Sequence, residues 1–212
     1  MPMNVPKIIW QTHNYEFNEL PNHLKMVIKT WINLNPGWEH RYMDHNQRAE
    51  VIKKYPKLYE FYVGNSPVRQ ADIWRYLITY ENGGVYSDMD SVCTKPLDYL
   101  LENTEDCEIL VTPKDPPDFG YNGLFGVNNA NFAVKKDSII MKNIIEESLL
   151  SYKTWEAYNA VVLKSDKVGE GFTSSLHREY YKKDFDTSFQ VDDYGDVMSY
   201  EDYLIKHDLS II

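Results

Sequence analysis

The sequence predicts an α/β fold in which a central sheet is flanked by helices. Strand-like and helix-like segments alternate along the chain, a pattern typical of a layered α/β core. The chain has 212 residues, of which 43% are hydrophobic and 25% are charged. That length is enough for one sizeable core and too short for two ordinary domains, so we expect a single domain.

The amino-terminal elements each have a local signal. Lys7–Thr12 is a short apolar run that predicts a buried strand, and Leu24–Leu34 has apolar residues at helical spacing. His40–Met43 predicts a second strand, followed by a helix from about Gln47 to Lys54. Pro56 is expected to stop that helix, because proline lacks the backbone donor that a helix interior needs.

The most informative segment is SPVRQADIWRYLITYENGGVYSDMD, from Ser66 to Asp90. Ser66 and Pro67 are typical of a helix start. Gly83 and Gly84 supply the left-handed conformation that ends a helix and turns the chain into a strand. The apolar stripe expected to be buried consists of Val68, Ala71, Trp74 and Ile78.

A polar face lies beside that stripe on the same predicted helix. Asp72, Arg75 and Thr79 fall at i, i+3 and i+7, so the carboxylate and the guanidinium can point towards one neighbour. One interpretation is a surface salt bridge, which contributes little to stability. The other is that both side chains bind the hydroxyls of a sugar.

Two carboxylates, Asp88 and Asp90, are predicted to end the strand that follows. Side chains two apart on a strand share a face, so these two can converge on one cation while Met89 points into the core. Oxygen ligands suit Mg²⁺ or Mn²⁺, which keep positions for water and substrate phosphates. The alternative is a solvated acidic turn.

The remainder of the chain has weaker signals. Glu108–Thr112 predicts a strand, and residues 114–134 contain prolines, glycines and asparagines typical of loops around short strands. Ser138 can cap a helix that runs to about Tyr152. A further helix start is predicted at Thr173, where backbone amides after two glycines can hold an anion.

The net charge of −10 disfavours a polyanionic partner, and no basic cluster offers a local exception. We therefore expect no nucleic-acid partner. An anionic ligand such as a sugar nucleotide could bind near Asp88 and Asp90 only together with a cation that offsets the charge of these acids. Cys93 and Cys107 form no metal-binding pattern and are expected to be reduced. No apolar run has the length of a membrane span, which predicts a cytoplasmic protein.

The segment RQADIWRYLITYENGGVYSDMD resembles the signature of glycosyltransferases with an aspartate-any-aspartate (DXD) motif. It is most similar to glycosyltransferase family 32 and the clostridial glucosylating toxins. VPKIIWQTH, NPGWEHRYMD and CTKPLDYLL resemble further segments of these enzymes, and the chain also resembles chlorovirus enzymes that build capsid glycans. The resemblance implies a single GT-A domain over residues 1–212, Rossmann-like, with a mixed central sheet. Its nucleotide-binding half would cover about 1–101 and its acceptor side about 102–212.

The resemblance also implies roles for the residues around the two acids. Asp72 and Arg75 would hold the donor sugar, and Tyr86 would pack near the ribose. Asp88 would contact ribose and sugar, directly or through the metal, and Asp90 would bind the metal. The implied cofactor is Mn²⁺ or Mg²⁺.

The nucleotide would lie against the end of the first strand. Trp10 would stack on the base, with Gln11 and Thr12 beside it, although packing of Trp10 in the core is an equal alternative. Asn131 is the candidate within the later loops, because a resembled segment presents a polar residue to the donor sugar.

The predicted function is transfer of a hexose from a nucleoside diphosphate sugar, expected to be a UDP-hexose, to a hydroxyl of a glycan or glycoprotein. Asp115, Asp118 and Asp192 are possible bases, and His177 and His207 possible extra metal ligands. A rival interpretation is a haloacid-dehalogenase-like phosphatase with Asp88 as its nucleophile. Another is a module that binds a sugar nucleotide without transferring the sugar.

Overall fold

A six-stranded mixed sheet lies at the centre of the fold, which confirms the predicted α/β class. The computed structural model describes residues 3–102, 104, 106–113, 127–170, 189–191 and 197–199. The strands are β1 (Ile8–Thr12), β2 (Glu39–Met43), β3 (Gly84–Ser87), β4 (Ile109–Pro113), β5 (Val127–Val134), β6 (Val168–Glu170), β7 (Phe189–Val191) and β8 (Val197–Ser199). The α-helices are α1 (Asn22–Leu34), α2 (His45–Ile52), α3 (Pro56–Val63), α4 (Pro67–Asn82), α5 (Leu97–Leu100), α6 (Ile139–Ser151) and α7 (Trp155–Val162).

The strand order in the sheet is β2-β1-β3-β5-β4-β6, and β7 pairs with β8 separately. β1 is parallel to both β2 and β3, whereas β5 runs antiparallel to β3 and β4. The carboxyl ends of β1, β2 and β3 therefore meet at one edge of the sheet. Strand ends at such an edge are a common location for ligand sites in α/β folds.

Alternate residues of each strand pack on opposite faces of the sheet, as a strand period of two requires. Trp10, Tyr86 and Phe132 face one hydrophobic cluster, which includes side chains of α3, α4, α6 and α7. Ile9 and Val85 face the other, which includes side chains of α1 and α5. The sheet is thus covered by helices on both faces.

Helix α4 is buried more completely than its apolar stripe predicted. Val68, assigned to that stripe, is 71% exposed, so this part of the prediction is wrong. Instead the polar side chains Asp72, Arg75 and Thr79 are buried, together with Trp74. The helix lies between α2, α3 and α6 and the sheet, so that its polar face also meets protein.

Several boundaries differ from those predicted, for local reasons. Asp44 and the side chain of Gln47 form a capping box, so α2 begins at His45. Pro56 starts α3 at a position where its missing donor costs nothing. Ser138 caps α6 as expected.

Several elements had no predicted counterpart: α3, α5, α7, β6, β7 and β8. Strand β5 is an eight-residue strand within the segment predicted as loops around short strands. The helix start predicted at Thr173 lies outside the described residues. In the described part of the chain, no helix is both long and apolar enough to cross a membrane.

Gly83 and Gly84 make the turn between α4 and β3, with φ values of 67° and 109°. A Cβ atom on Gly84 would lie 2.6 Å from the carbonyl oxygen of Ile8 and 3.1 Å from Nε1 of Trp10. The turn therefore needs glycine both for its backbone conformation and for its close approach to β1.

We predict that Gly84→Ala lowers the free energy of unfolding by about 2 kcal/mol or more, because alanine disfavours this φ and the Ile8 carbonyl must move. The matched control is Gly37→Ala, since no atom lies within 4 Å of a Cβ there. Urea unfolding of both variants measures the difference. Equal stability of the two would contradict the proposed constraint.

Candidate active site

The DXD residues lie on a turn directly after β3. The backbone amide of Asp88 donates to the carbonyl of Ala130 at 2.8 Å, and the amide of Ser91 donates back to the Asp88 carbonyl at 3.2 Å. The strand ends at Ser87, so the prediction that both acids continue it is wrong. The turn nevertheless buries Met89 and leaves the Asp90 side chain exposed.

Arg75 is the centre of the buried part of the site, with 6% of its surface exposed. Its Nη1 donates to the carbonyl oxygen of Asn129 at 2.7 Å and lies 3.1 Å from Oδ1 of Asp88. Its Nη2 lies 3.3 Å from Oδ1 of Asp72. The guanidinium carbon also sits 4.3 Å from the centre of the Tyr86 ring. Burial acts to lower the pKa of Arg75, but Asp88, Tyr86 and Asp72 outweigh it and raise that pKa.

Asp88 is held on one side and open on the other. The Tyr86 hydroxyl donates to its Oδ1 at 2.6 Å, and the Arg75 contact is made to the same atom. The side chain is 30% exposed. Burial raises the pKa of the Asp88 carboxyl to about 6, with Arg75 opposing this effect and Asp90 adding to it. Both contacts described above involve Oδ1 of Asp88, so Oδ2 is available to bind a cation.

Asp72 is 5% exposed, so the surface salt bridge is the wrong interpretation of its pairing with Arg75. The Thr154 hydroxyl donates to Asp72 Oδ2 at 2.6 Å, and Asn129 Nδ2 donates to Oδ1 at 3.1 Å. Asn129 Nδ2 also lies 2.7 Å from the hydroxyl of Tyr76. The carboxylate is thus bound by side chains from β5 and from the N-cap of α7, in addition to Arg75 on its own helix.

Gln11 and Thr12, expected to lie beside the nucleotide, hold the end of β1 in this structure. Gln11 is fully buried, and its Nε2 donates to the Asp88 carbonyl at 3.4 Å. Its Oε1 lies 2.8 Å from Nε2 of His40, whose pKa is lowered by burial to about 4. A neutral His40 can donate to that oxygen. The Thr12 hydroxyl donates to the Met43 carbonyl at 2.5 Å.

Trp10 and Asn131 are both buried. Trp10 is 1% exposed, its Nε1 donates to the Gly83 carbonyl at 2.9 Å, and its ring meets Trp74 edge-on. The structure therefore places Trp10 in the core, the alternative to base stacking. Asn131 Nδ2 donates to the hydroxyl of Ser91 at 3.1 Å, next to the DXD turn.

Sequence reasoning missed Asn129, Thr154 and Tyr76 as members of this site. Asn129 lies in the segment predicted as loops, and Thr154 is 82 positions from the carboxylate that it binds. No local pattern marks either residue. The later candidates lie outside the described residues: Asp115, Asp118, His177, Asp192 and His207.

Asp88 and Asp90 supply part of the set of oxygen ligands that a hard divalent cation needs. Asp88 Oδ2 and the exposed Asp90 carboxylate are oxygen donors of the kind that Mn²⁺ and Mg²⁺ prefer. Within the described residues, no group of three or more His, Cys, Asp or Glu side chains is placed to hold a metal. A cation bound by these two acids would therefore need further ligands from outside the described residues, such as water and substrate phosphates.

Known proteins share with this chain the segment that contains the two acids. Residues 21–106 match the glycosyltransferase sugar-binding region containing the DXD motif. The chain is 37% identical over 101 residues to inositol phosphoceramide mannosyltransferase 3 of Schizosaccharomyces pombe, a match that covers 46% of this chain and 27% of that protein. It is 33% identical over 107 residues to the initiation-specific alpha-1,6-mannosyltransferase of Candida albicans, covering 47% and 28%. The chain thus spans about a quarter of the length of these relatives.

Among solved structures, the PaToxG glycosyltransferase superposes with a TM-score of 0.58 at 15% identity. The match covers 77% of this chain and 70% of that one, so it supports the fold. The resemblance to chlorovirus enzymes stays a prediction. Residues 21–106 thus match a glycosyltransferase sugar-binding region with a DXD motif, and the fold of the chain is of the GT-A type.

Proposed function

We propose that this protein is a metal-dependent glycosyltransferase that moves a hexose from a nucleoside diphosphate sugar to a hydroxyl of a glycan or glycoprotein. One observation supports this most directly. The buried Arg75 joins Asp72 to Asp88, and the exposed Asp90 lies two residues beyond Asp88 at the carboxyl edge of the sheet. Groups for a sugar and groups for a diphosphate-bound cation are therefore adjacent.

Each group has a distinct task in this proposal. Asp88 and Asp90 would hold Mn²⁺ or Mg²⁺, which stabilises the negative charge on a departing diphosphate. Asp72 and Arg75 fix the sugar hydroxyls, so that the anomeric carbon faces the acceptor. Because Arg75 is anchored by Asn129 and by the ring of Tyr86, its orientation is set before the donor arrives.

The donor is the part of the proposal that most needs measurement. The resemblance to the toxins and family 32 favours a UDP-hexose. The names of the two curated relatives favour a mannosyl group. Hydrolysis of UDP-glucose, UDP-galactose and GDP-mannose, each with and without Mn²⁺, distinguishes these choices. The UDP nucleotide, the acceptor and the cytoplasmic location all stay predictions.

We predict that Asp90→Asn lowers metal-dependent donor turnover by about a hundredfold, because the remaining acid cannot hold the cation alone. The side chain is exposed, so the variant should unfold at the same urea concentration as the wild type. Donor hydrolysis and Mn²⁺ calorimetry test this. Unchanged turnover with Mn²⁺ would refute the metal assignment.

The same assay separates the rival functions. A phosphatase would release phosphate from simple esters, but its haloacid-dehalogenase fold is not the GT-A fold found here. A binding module would take up a donor with Mn²⁺ without cleaving it. Donor uptake with no cleavage, in the presence of glycan acceptors, would favour that module over a transferase.

A further inference from the structure

Resting on the proposed function, we infer that Thr154 and Asn129 are positioning residues that limit Asp72 to a single hydrogen bond from the donor sugar. Neither residue lies in the segment 21–106 that matches the family. Both act through Asp72, and Asn129 also acts through Arg75. The inference concerns how the sugar is selected, whichever hexose is transferred.

The hydrogen bonds of the Asp72 carboxylate carry the argument. An ionised carboxylate has about four acceptor positions. Thr154 Oγ1 takes one on Oδ2 at 2.6 Å, and Asn129 Nδ2 takes one on Oδ1 at 3.1 Å. Arg75 Nη2 lies 3.3 Å from the same Oδ1. About one position therefore remains for a sugar hydroxyl.

Thr154 occupies an unusual position for a residue with this contact. It is the N-cap of α7, where a threonine hydroxyl ordinarily accepts from the backbone amides of the first turn. Its side chain makes no such bond and instead donates to Asp72. The Tyr76 hydroxyl is directed at the Thr154 carbonyl at 3.4 Å. These two hydrogen bonds connect the start of α7 to the polar face of α4.

Asn129 reaches both sugar-binding groups because β5 is irregular there. The register between β4 and β5 shifts between Val111 and Thr112, so Asn129 lies between the two paired stretches. Bulges of this kind redirect side chains and are frequent beside active sites. The backbone carbonyl of Asn129 accepts from Arg75. Its side-chain amide donates to Asp72 and lies beside the Tyr76 hydroxyl.

The Thr154 hydroxyl therefore does two things for Asp72. It satisfies Oδ2 inside the protein, where an unpaired carboxylate oxygen would be costly. It also fixes the carboxylate plane, so the free acceptor position points in one direction. Without the hydroxyl, the Asp72 carboxylate can rotate, and it no longer holds the donor sugar in one orientation.

The test compares Thr154→Val, which removes the hydroxyl at nearly constant shape, with Thr154→Ser, which keeps it. The substrate is whichever of UDP-glucose, UDP-galactose and GDP-mannose the wild type hydrolyses fastest with Mn²⁺. We expect Thr154→Val to lower kcat/KM about tenfold, the factor for one hydrogen bond to a charged group. Thr154→Ser should stay within about threefold of the wild type. Mn²⁺ affinity should not change in either variant, because Asp88 and Asp90 keep their contacts.

Asn129→Ala provides a second variant if Thr154→Val folds poorly. It removes the donor to Asp72 Oδ1 but keeps the backbone carbonyl for Arg75, and we expect a similar loss of kcat/KM. Rates are corrected for the folded fraction, measured by circular dichroism. Wild-type kcat/KM in Thr154→Val or in Asn129→Ala would overturn the inference, as would a Thr154→Ser variant as slow as Thr154→Val. A wild type that cleaves none of the donors would instead overturn the proposed function.

Discussion

An Arg75→Leu variant is expected to lose about 3–5 kcal/mol of folding free energy and all measurable donor turnover. The substitution leaves two carboxylates, Asp72 and Asp88, close together in a partly buried site with no cation between them. It also leaves the Asn129 carbonyl without its donor and the Tyr86 ring without the guanidinium beside it. We therefore expect the free energy of unfolding and the rate of donor turnover to fall together.

Two matched variants test whether these losses come from removing the guanidinium of Arg75. Arg69→Leu makes the same change on the same helix at an exposed position, and we expect it to cost less than about 0.5 kcal/mol. Arg75→Lys keeps the charge, but an ammonium group cannot reach both carboxylates and the Asn129 carbonyl in one geometry. We expect it to recover part of the stability and little of the turnover. Urea unfolding and donor hydrolysis measure both quantities, and a fully stable Arg75→Leu would show that Arg75 does not offset these carboxylates.

Local rules account for the elements that sequence reasoning placed correctly. Helix α4 has a proline at its first position and a glycine with positive φ directly after its end. Ser138 caps α6 with its own side chain. Asp72 and Arg75 share a face because they lie three residues apart on one helix, which needs no knowledge of the tertiary fold.

Contacts between distant segments account for what was missed. Strand β5 is rich in asparagine, which favours loops, yet it is paired on both edges by β3 and β4. That tertiary pairing overrides the local preference. The role of Thr154 depends on α7 packing beside α4. Trp10 could not be assigned from sequence, because a tryptophan in a core and one against a base have the same local pattern.

The DXD turn shows a conflict between stability and function that the sequence does not reveal. Burial raises the pKa of Asp88 to about 6, against an ordinary value of about 3.9. Without metal, the folded protein therefore binds a proton between about pH 4 and pH 6 that the unfolded chain does not. The stability from this proton is fully present below about pH 4 and is lost as the pH rises through 6. Above that pH, the folded state carries the cost of an ionised, half-buried carboxylate.

Asp88→Asn should therefore stabilise the metal-free protein by on the order of 2 kcal/mol at pH 8 while abolishing metal-dependent turnover. The asparagine oxygen can accept the same bonds from Tyr86 and Arg75 without the charge. The gain should fall towards zero as the pH approaches 4, where the wild-type carboxyl is protonated in the folded state and about half protonated in the unfolded chain. Urea unfolding in EDTA at the two pH values measures this difference.

Asp90→Asn is the control for that experiment, because it also removes a proposed metal ligand but at an exposed position. Its stability should match that of the wild type within about 0.5 kcal/mol at both pH values. If Asp88→Asn were less stable than the wild type at pH 8, the Arg75 ion pair would outweigh the burial of Asp88. If both variants gained equally, the effect would come from lowering the net negative charge. A gain confined to Asp88→Asn and to the higher pH would show that the metal-free site is destabilised by the ionised carboxylate of Asp88.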